Sequence, residues 1–193
     1  MTIRILGIDP GSRVTGVALL EKEHTRYQAV MCDVIQLSGI SEPLDRLTKL
    51  YTDISDLIDR FQPAACAIET PVYGKDPSAM LKLGRAQASV IMAILHKQLP
   101  VSEYYPKAVK KAITGSGNAR KSQVAFMLHK MIHIAEDDLS LDATDALAVA
   151  WCHLLKMSNP ALYHEEDGPK HNSRRRNTWN SFVEDNPDRI RKP

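Results

Sequence analysis

An α/β domain built on a mixed five-stranded sheet flanked by helices is the architecture these 193 residues predict. Three observations carry that expectation. Residues 3–37 contain three β-rich runs with short connections, the pattern of an antiparallel meander. Two later apolar runs, 65–69 and 101–105, alternate with long stretches of helical period. Hydrophobic residues make up 44% of the chain, enough at this length for one well-buried core.

The first run, residues 3–9, climbs through apolar residues to Asp9 and breaks at Pro10-Gly11. A second run over 14–21 returns beside it, and 27–37 (YQAVMCDVIQL) supplies a third strand rich in β-branched residues. Gly7 and Gly16 weaken these strands locally and permit close backbone approach near Asp9. From Pro43 to Phe61 the period changes: Leu44, Leu47, Leu50, Ile54, Leu57, Ile58 and Phe61 recur at helical spacing. Ser41 or Glu42 can cap this helix, Pro43 suits its first turn and Pro63 stops it.

Residues 65–69 (ACAIE) read as a strand buried on both faces, central and parallel to the first, ending on Glu69. Asp76-Pro77 opens a second helix that runs to about Leu99. Its broad apolar surface fits a subunit interface as well as ordinary core packing. A last strand is expected over 101–105, then helices over 106–114 and 121–134 around the GSGNAR turn, and a final helix over 140–157. One domain thus spans 1–157. Residues 158–193, rich in Asn, Pro, Ser and charge, are expected to form a disordered tail, although Arg174–Arg176 with Trp179 and Phe182 also fit a docking segment.

The net charge is only +2, so global charge selects no partner, but its distribution is uneven. Between Tyr104 and Ala135 there is no acid, while Lys107, Lys110, Lys111, Arg120, Lys121 and Lys130 all fall there. Such a stretch is either a solvated face or a surface for a polyanion. Cys32, Cys66 and Cys152 are too widely spaced for a zinc site and read as buried thiols in a reducing, cytoplasmic setting. No leader pattern and no run of membrane-spanning length is evident, so no membrane is expected.

Four carboxylates stand out. Asp9 and Glu69 each end a fully apolar run, and Asp142 and Asp145 lie three apart on one face of a helix, in its first turn. Each acid alone has a structural explanation: Asp9 in a turn, Glu69 bonding backbone in a loop, the helix acids as caps. Together they are better explained as oxygen ligands for hard divalent cations, because buried carboxylates without a cation or basic partner are costly. Two such ions about 4 Å apart can clamp a phosphodiester.

The motifs GIDPGSRVTG (7–16), AIET (67–70), LKLGRA (81–86), KSQV (121–124) and LDATDALAVA (141–150) resemble, in order and spacing, the RuvC-type Holliday junction resolvases. The resemblance covers about residues 1–155. It implies a ribonuclease H-like fold, a homodimer, and paired symmetric nicking of four-way junction DNA that leaves 5′-phosphate and 3′-hydroxyl ends, in recombination and repair. It implies two Mg²⁺ ions per active site, with Mn²⁺ able to substitute, held by Asp9, Glu69, Asp142 and Asp145. Lys110 and Lys121 fall on the family's two basic residues near the scissile strand; Lys107, Lys111 and Arg120, from the acid-free stretch, are further candidate DNA contacts. Where the family often carries a base-stacking aromatic, this sequence has Val72, with Tyr73 next to it as the candidate substitute. A branch-migration helicase complex is implied as a partner.

Two other readings fit parts of the sequence. A junction-binding module without catalysis would share the basic stretch but not need all four acids. An actin-like or sugar-kinase-like ATPase would share D-x-G-S near the N-terminus, but needs two related lobes, for which this chain is short.

Overall fold

The structure is a computed structural model that describes residues 2–72, 74, 76–135 and 139–159. The elements run β1 (Thr2–Asp9), β2 (Val14–Glu23), β3 (Arg26–Gln36), α1 (Pro43–Phe61), β4 (Ala65–Glu69), α2 (Pro77–His96), β5 (Val101–Tyr104), α3 (Pro106–Thr114), α4 (Lys121–Met131), β6 (His133–Ile134) and α5 (Leu141–Ser158). The sheet order is β5-β4-β1-β2-β3-β6. The meander is antiparallel, and β4 joins β1 in parallel, as the apolar run 65–69 required.

The sheet has six strands rather than five. The helix expected over 121–134 stops at Met131, Ile132 turns extended, and His133–Ile134 pairs in parallel with Gln28 and Ala29 of β3. Two residues are too few for an alternating pattern to reveal a strand.

Two apolar cores lie on opposite faces of the sheet. One contains Leu6, Ile8, Val17, Leu19, Cys66 and Ile68 with residues of α1 and α2. The other contains Ile5, Ala18, Ala65 and Ala67 with residues of α3, α4 and α5. The strict alternation along β1 and β4 decides which way their terminal acids face. Ile5 and Ala67 pack on the α5 side and Ile8 and Ile68 on the other. A period of two therefore turns both Asp9 and Glu69 toward the α5 side.

Helix α2 buries Ala86, Val90, Ala93 and Ile94, and Ser89 Oγ donates to the Leu47 carbonyl of α1 at 2.8 Å. Leu81, Met92 and Leu95 remain exposed. By length and composition alone α2 is apolar enough to cross a membrane, which corrects the expectation that no run reaches that length. A stripe of that helix, Ala86, Val90, Ala93 and Ile94, is buried in the core that also holds residues of α1. Glu42 is the N-cap of α1 but makes no side-chain cap bond, and Leu44 is exposed although it follows the helical period. The candidate Tyr73 lies outside the described residues, as does the expected tail beyond Asn159. Helix α5 runs one residue past the expected domain boundary.

Candidate active site

The centre forms where the C-terminal ends of β1 and β4 meet the first turn of α5. The parallel register sets Ile8 beside Ile68, so Asp9 and Glu69 follow at the same level on adjacent strands. Asp9 is also paired with Gly16 of β2. A Cβ at Gly16 would collide with the carbonyl of Asp142, and one at Gly7 with the carbonyl of Ala146. These two glycines let the backbone of α5 lie directly on β1 and β2. Ser140 caps α5 by accepting from the Ala143 N–H at 3.2 Å, which fixes Asp142 and Asp145 in and just after the first turn. On the far side of the strand end, Gly11 N–H donates to Thr15 Oγ1 at 3.1 Å, and that hydroxyl donates to the Gly11 carbonyl at 3.2 Å. The fully buried Thr15 thus ties down the turn after Asp9.

The electrostatics report the convergence. Burial pushes the Asp9 carboxyl up to about 6, with the charges of Asp145 and Asp142 adding to the shift. Burial pushes Glu69 up to about 8, with Asp9 and Asp145 adding to it. Lys121 lowers both carboxyls and Lys110 lowers Glu69, so these two lysines face the acids. Lys121 Nζ donates to Asp145 Oδ2 at 2.5 Å, and this bond raises the lysine's own pKa. Lys107, Lys111 and Arg120 are exposed on α3 and at the start of α4, next to this centre in sequence. Val72 is exposed beyond Glu69.

The donor set fits hard divalent cations: four carboxylates and no sulfur, with Asp9 and Glu69 raised by burial and neighbouring negative charge, Glu69 far enough to hold its proton at neutral pH. A cation of higher charge than one ammonium would favour the ionised forms of Asp9 and Glu69. Among the described residues, no three such donors are drawn into a ready-made coordination group. The site is an open cluster, with Lys121 already bonded to one of its oxygens. The pairing of Lys121 with Asp145 was not readable from a spacing of 24 residues. Away from this centre, burial pushes the Cys66 thiol up to about 12, and the His153 imidazole is hydrogen-bonded to Tyr104 Oη at 2.7 Å in the core.

The family profile described as crossover junction endodeoxyribonuclease RuvC matches residues 5–153. The crossover junction endodeoxyribonuclease RuvC of Salinibacter ruber is 42% identical over 186 residues, 96% of this chain and 98% of its own. That of Cytophaga hutchinsonii is 41% identical over 187 residues, 97% of this chain and 88% of its own. Among solved structures, Thermus thermophilus RuvC superposes with a TM-score of 0.73 at 26% identity, covering 83% of this chain and 97% of that one. The same protein in complex with a Holliday junction substrate gives 0.72 at 24% identity, covering 81% and 95%.

Proposed function

The chain belongs to the RuvC family of crossover junction endodeoxyribonucleases, metal-dependent enzymes that resolve Holliday junctions, and from that premise we propose how its own residues do so. Asp9, Glu69, Asp142 and Asp145 would hold two Mg²⁺ ions, for which Mn²⁺ would substitute. The single observation behind this assignment is that Asp9 and Glu69, buried at one end of the sheet, are both raised by burial and by the charge of Asp145, with Asp142 adding to Asp9 and Asp9 adding to Glu69. When bound, the ions polarise the scissile phosphate and lower the pKa of the attacking water.

The remaining steps belong to the side chains. Glu69, which holds its proton at neutral pH, would have to give it up to become a ligand, so cation uptake would release protons and strengthen with pH. Asp142 and Asp145 ride on the first two turns of α5, whose Ser140 cap fixes them beside the strand ends. Lys121 exchanges Asp145 for a phosphate oxygen when DNA arrives, and Lys110 neutralises the adjacent phosphate. Lys107, Lys111 and Arg120 extend this basic track along the duplex arm and contribute salt-dependent affinity without reading bases. Tyr73 keeps its candidate role as a base-stacking side chain on its sequence motif alone. Cleavage at the 3′ oxygen leaves 5′-phosphate and 3′-hydroxyl ends, which a ligase can rejoin.

A junction is nearly two-fold symmetric, so two copies of the chain give two equivalent centres and paired symmetric nicks. The exposed Met92 and Leu95 of α2 support that helix as the dimer face. A branch-migration helicase complex and a cytoplasmic setting complete the proposal, both on family grounds. The test is incubation with a synthetic mobile four-way junction, with and without Mg²⁺, followed by mapping of the cuts. Paired, ligatable nicks that require Mg²⁺ are expected. Asp9→Asn protein should bind the junction and leave it whole. Binding without any cutting by the wild type would favour an inactive recognition module, and nicking by Asp9→Asn would remove the carboxylate assignment.

A further inference from the structure

Helix α4 carries one large apolar side chain that the catalytic centre does not use. Phe126 is 61% exposed, whereas Val124 and Leu128 of the same helix are buried. Its ring borders a cavity of about 330 Å³ lined also by Thr114, Ser122, Gln123 and Met127. The Thr114 hydroxyl donates to the Lys110 carbonyl at 2.8 Å, so the Ser122 hydroxyl and the Gln123 amide are the polar groups beside the aromatic wall. Gln123 is held in place there, its Oε1 accepting from the Arg120 N–H at 2.8 Å. Lys130 Nζ lies 5.6 Å from the Phe126 ring centroid, so a cation sits over the aromatic surface.

Position and charge indicate what such a wall serves. Thr114 stands one helical turn after Lys110 on α3, and Lys110 faces Glu69. One turn is roughly 6 Å of rise, about two nucleotide steps along a strand. No acid occurs between Tyr104 and Ala135, so the fixed charges around the cavity are positive and suit a polyanion. An aromatic ring, neutral hydrogen-bonding groups and flanking lysines form the combination that receives an unpaired base between its phosphates.

We propose that the Phe126 cavity is a second DNA contact, in which a nucleobase released from pairing near the cut stacks on the ring while Lys130 holds a flanking phosphate. The assignment rests on the nuclease reading and adds a binding site to it. Phe126 is here a positioning residue: it holds DNA and touches no reacting atom.

The experiment uses full-length Asp9→Asn protein, with and without Phe126→Ala, Phe126→Tyr or Lys130→Ala. The probes are four-way junctions carrying 2-aminopurine at single positions within three nucleotides of the mapped cut. Fluorescence reads stacking, and anisotropy across a salt series reads affinity. With Phe126 intact, one position should be quenched. Phe126→Ala should lose that quench and roughly 5- to 100-fold in affinity, with the salt slope unchanged. Phe126→Tyr should restore both, and Lys130→Ala should lower the salt slope by about 0.9. Phe126→Ala protein that binds as tightly, with the same fluorescence at every position, overturns the proposal and leaves the cavity to a protein partner. A parent protein that fails to bind any junction would instead sink the nuclease reading beneath it.

Discussion

Replacing Glu69 by Gln should make the metal-free protein more stable at alkaline pH while removing its activity. The ordinary glutamate value is 4.5 and the folded value is about 8. Between those pH values the folded state keeps a proton that the unfolded chain has lost. Stability therefore falls as pH rises through this window, and the loss is complete above about 8. Asp9 behaves alike between 3.8 and about 6. At 1.36 kcal/mol per pKa unit the Glu69 contribution alone is roughly 3–5 kcal/mol, the lower end allowing for the share that comes from neighbouring charges. For a chain of this size each kcal/mol moves the melting temperature by about 2–4 °C. In EDTA at pH 8, Glu69→Gln should melt roughly 10 °C above the wild type, and at pH 4 the two should nearly coincide. Mg²⁺ should raise the wild-type Tm through mass action and move the variant far less. Differential scanning calorimetry from pH 4 to 9, with and without Mg²⁺, reads all of this. A wild-type Tm that is flat across the range, or a Gln variant no more stable at pH 8, would refute the buried, mutually repelling cluster.

Three further outcomes follow from the geometry. Lys121 is 57% exposed in its pair with Asp145, so Lys121→Ala should leave folding stability nearly unchanged while lowering the salt slope of junction binding by about 0.9 and slowing cutting. Gly16→Ala should cost about 1–3 kcal/mol in chemical denaturation and depress cutting, because its methyl group meets the Asp142 carbonyl; Gly39→Ala, which meets nothing within 4 Å, is the control. Leu95→Glu should stay folded and sediment as a monomer, whereas Ile94→Glu, at a fully buried position, should unfold; a dimeric Leu95→Glu protein would take this face of α2 out of the interface.

The sequence exposed Asp9 and Glu69 because both strands are apolar up to their last residue, and a carboxylate there is conspicuous. Pro43–Phe61 was equally legible, since its period, proline start and proline stop agree. Gly7 and Gly16 carried a true signal of close approach, but not its object: only the packing shows that α5 is the element brought near. Strand β6 was hidden because two residues have no period, and it forms only because β3 offers an open edge. The apolar breadth of α2 was visible, yet the division of Ile94 from Leu95 between core and surface depends on where α1 lies. The Lys121–Asp145 bond and the exposure of Phe126 depend likewise on how α3, α4 and α5 pack.

The most direct measurement is the number of Mn²⁺ ions each chain binds, read by isothermal titration and electron paramagnetic resonance on the wild type and on Asp9→Asn, Glu69→Gln, Asp142→Asn and Asp145→Asn. Two ions in the wild type, with weaker or fewer in every variant, is the expected result. A wild type that takes up no metal, or any one variant that binds as the wild type does, would contradict a single centre built from these four side chains.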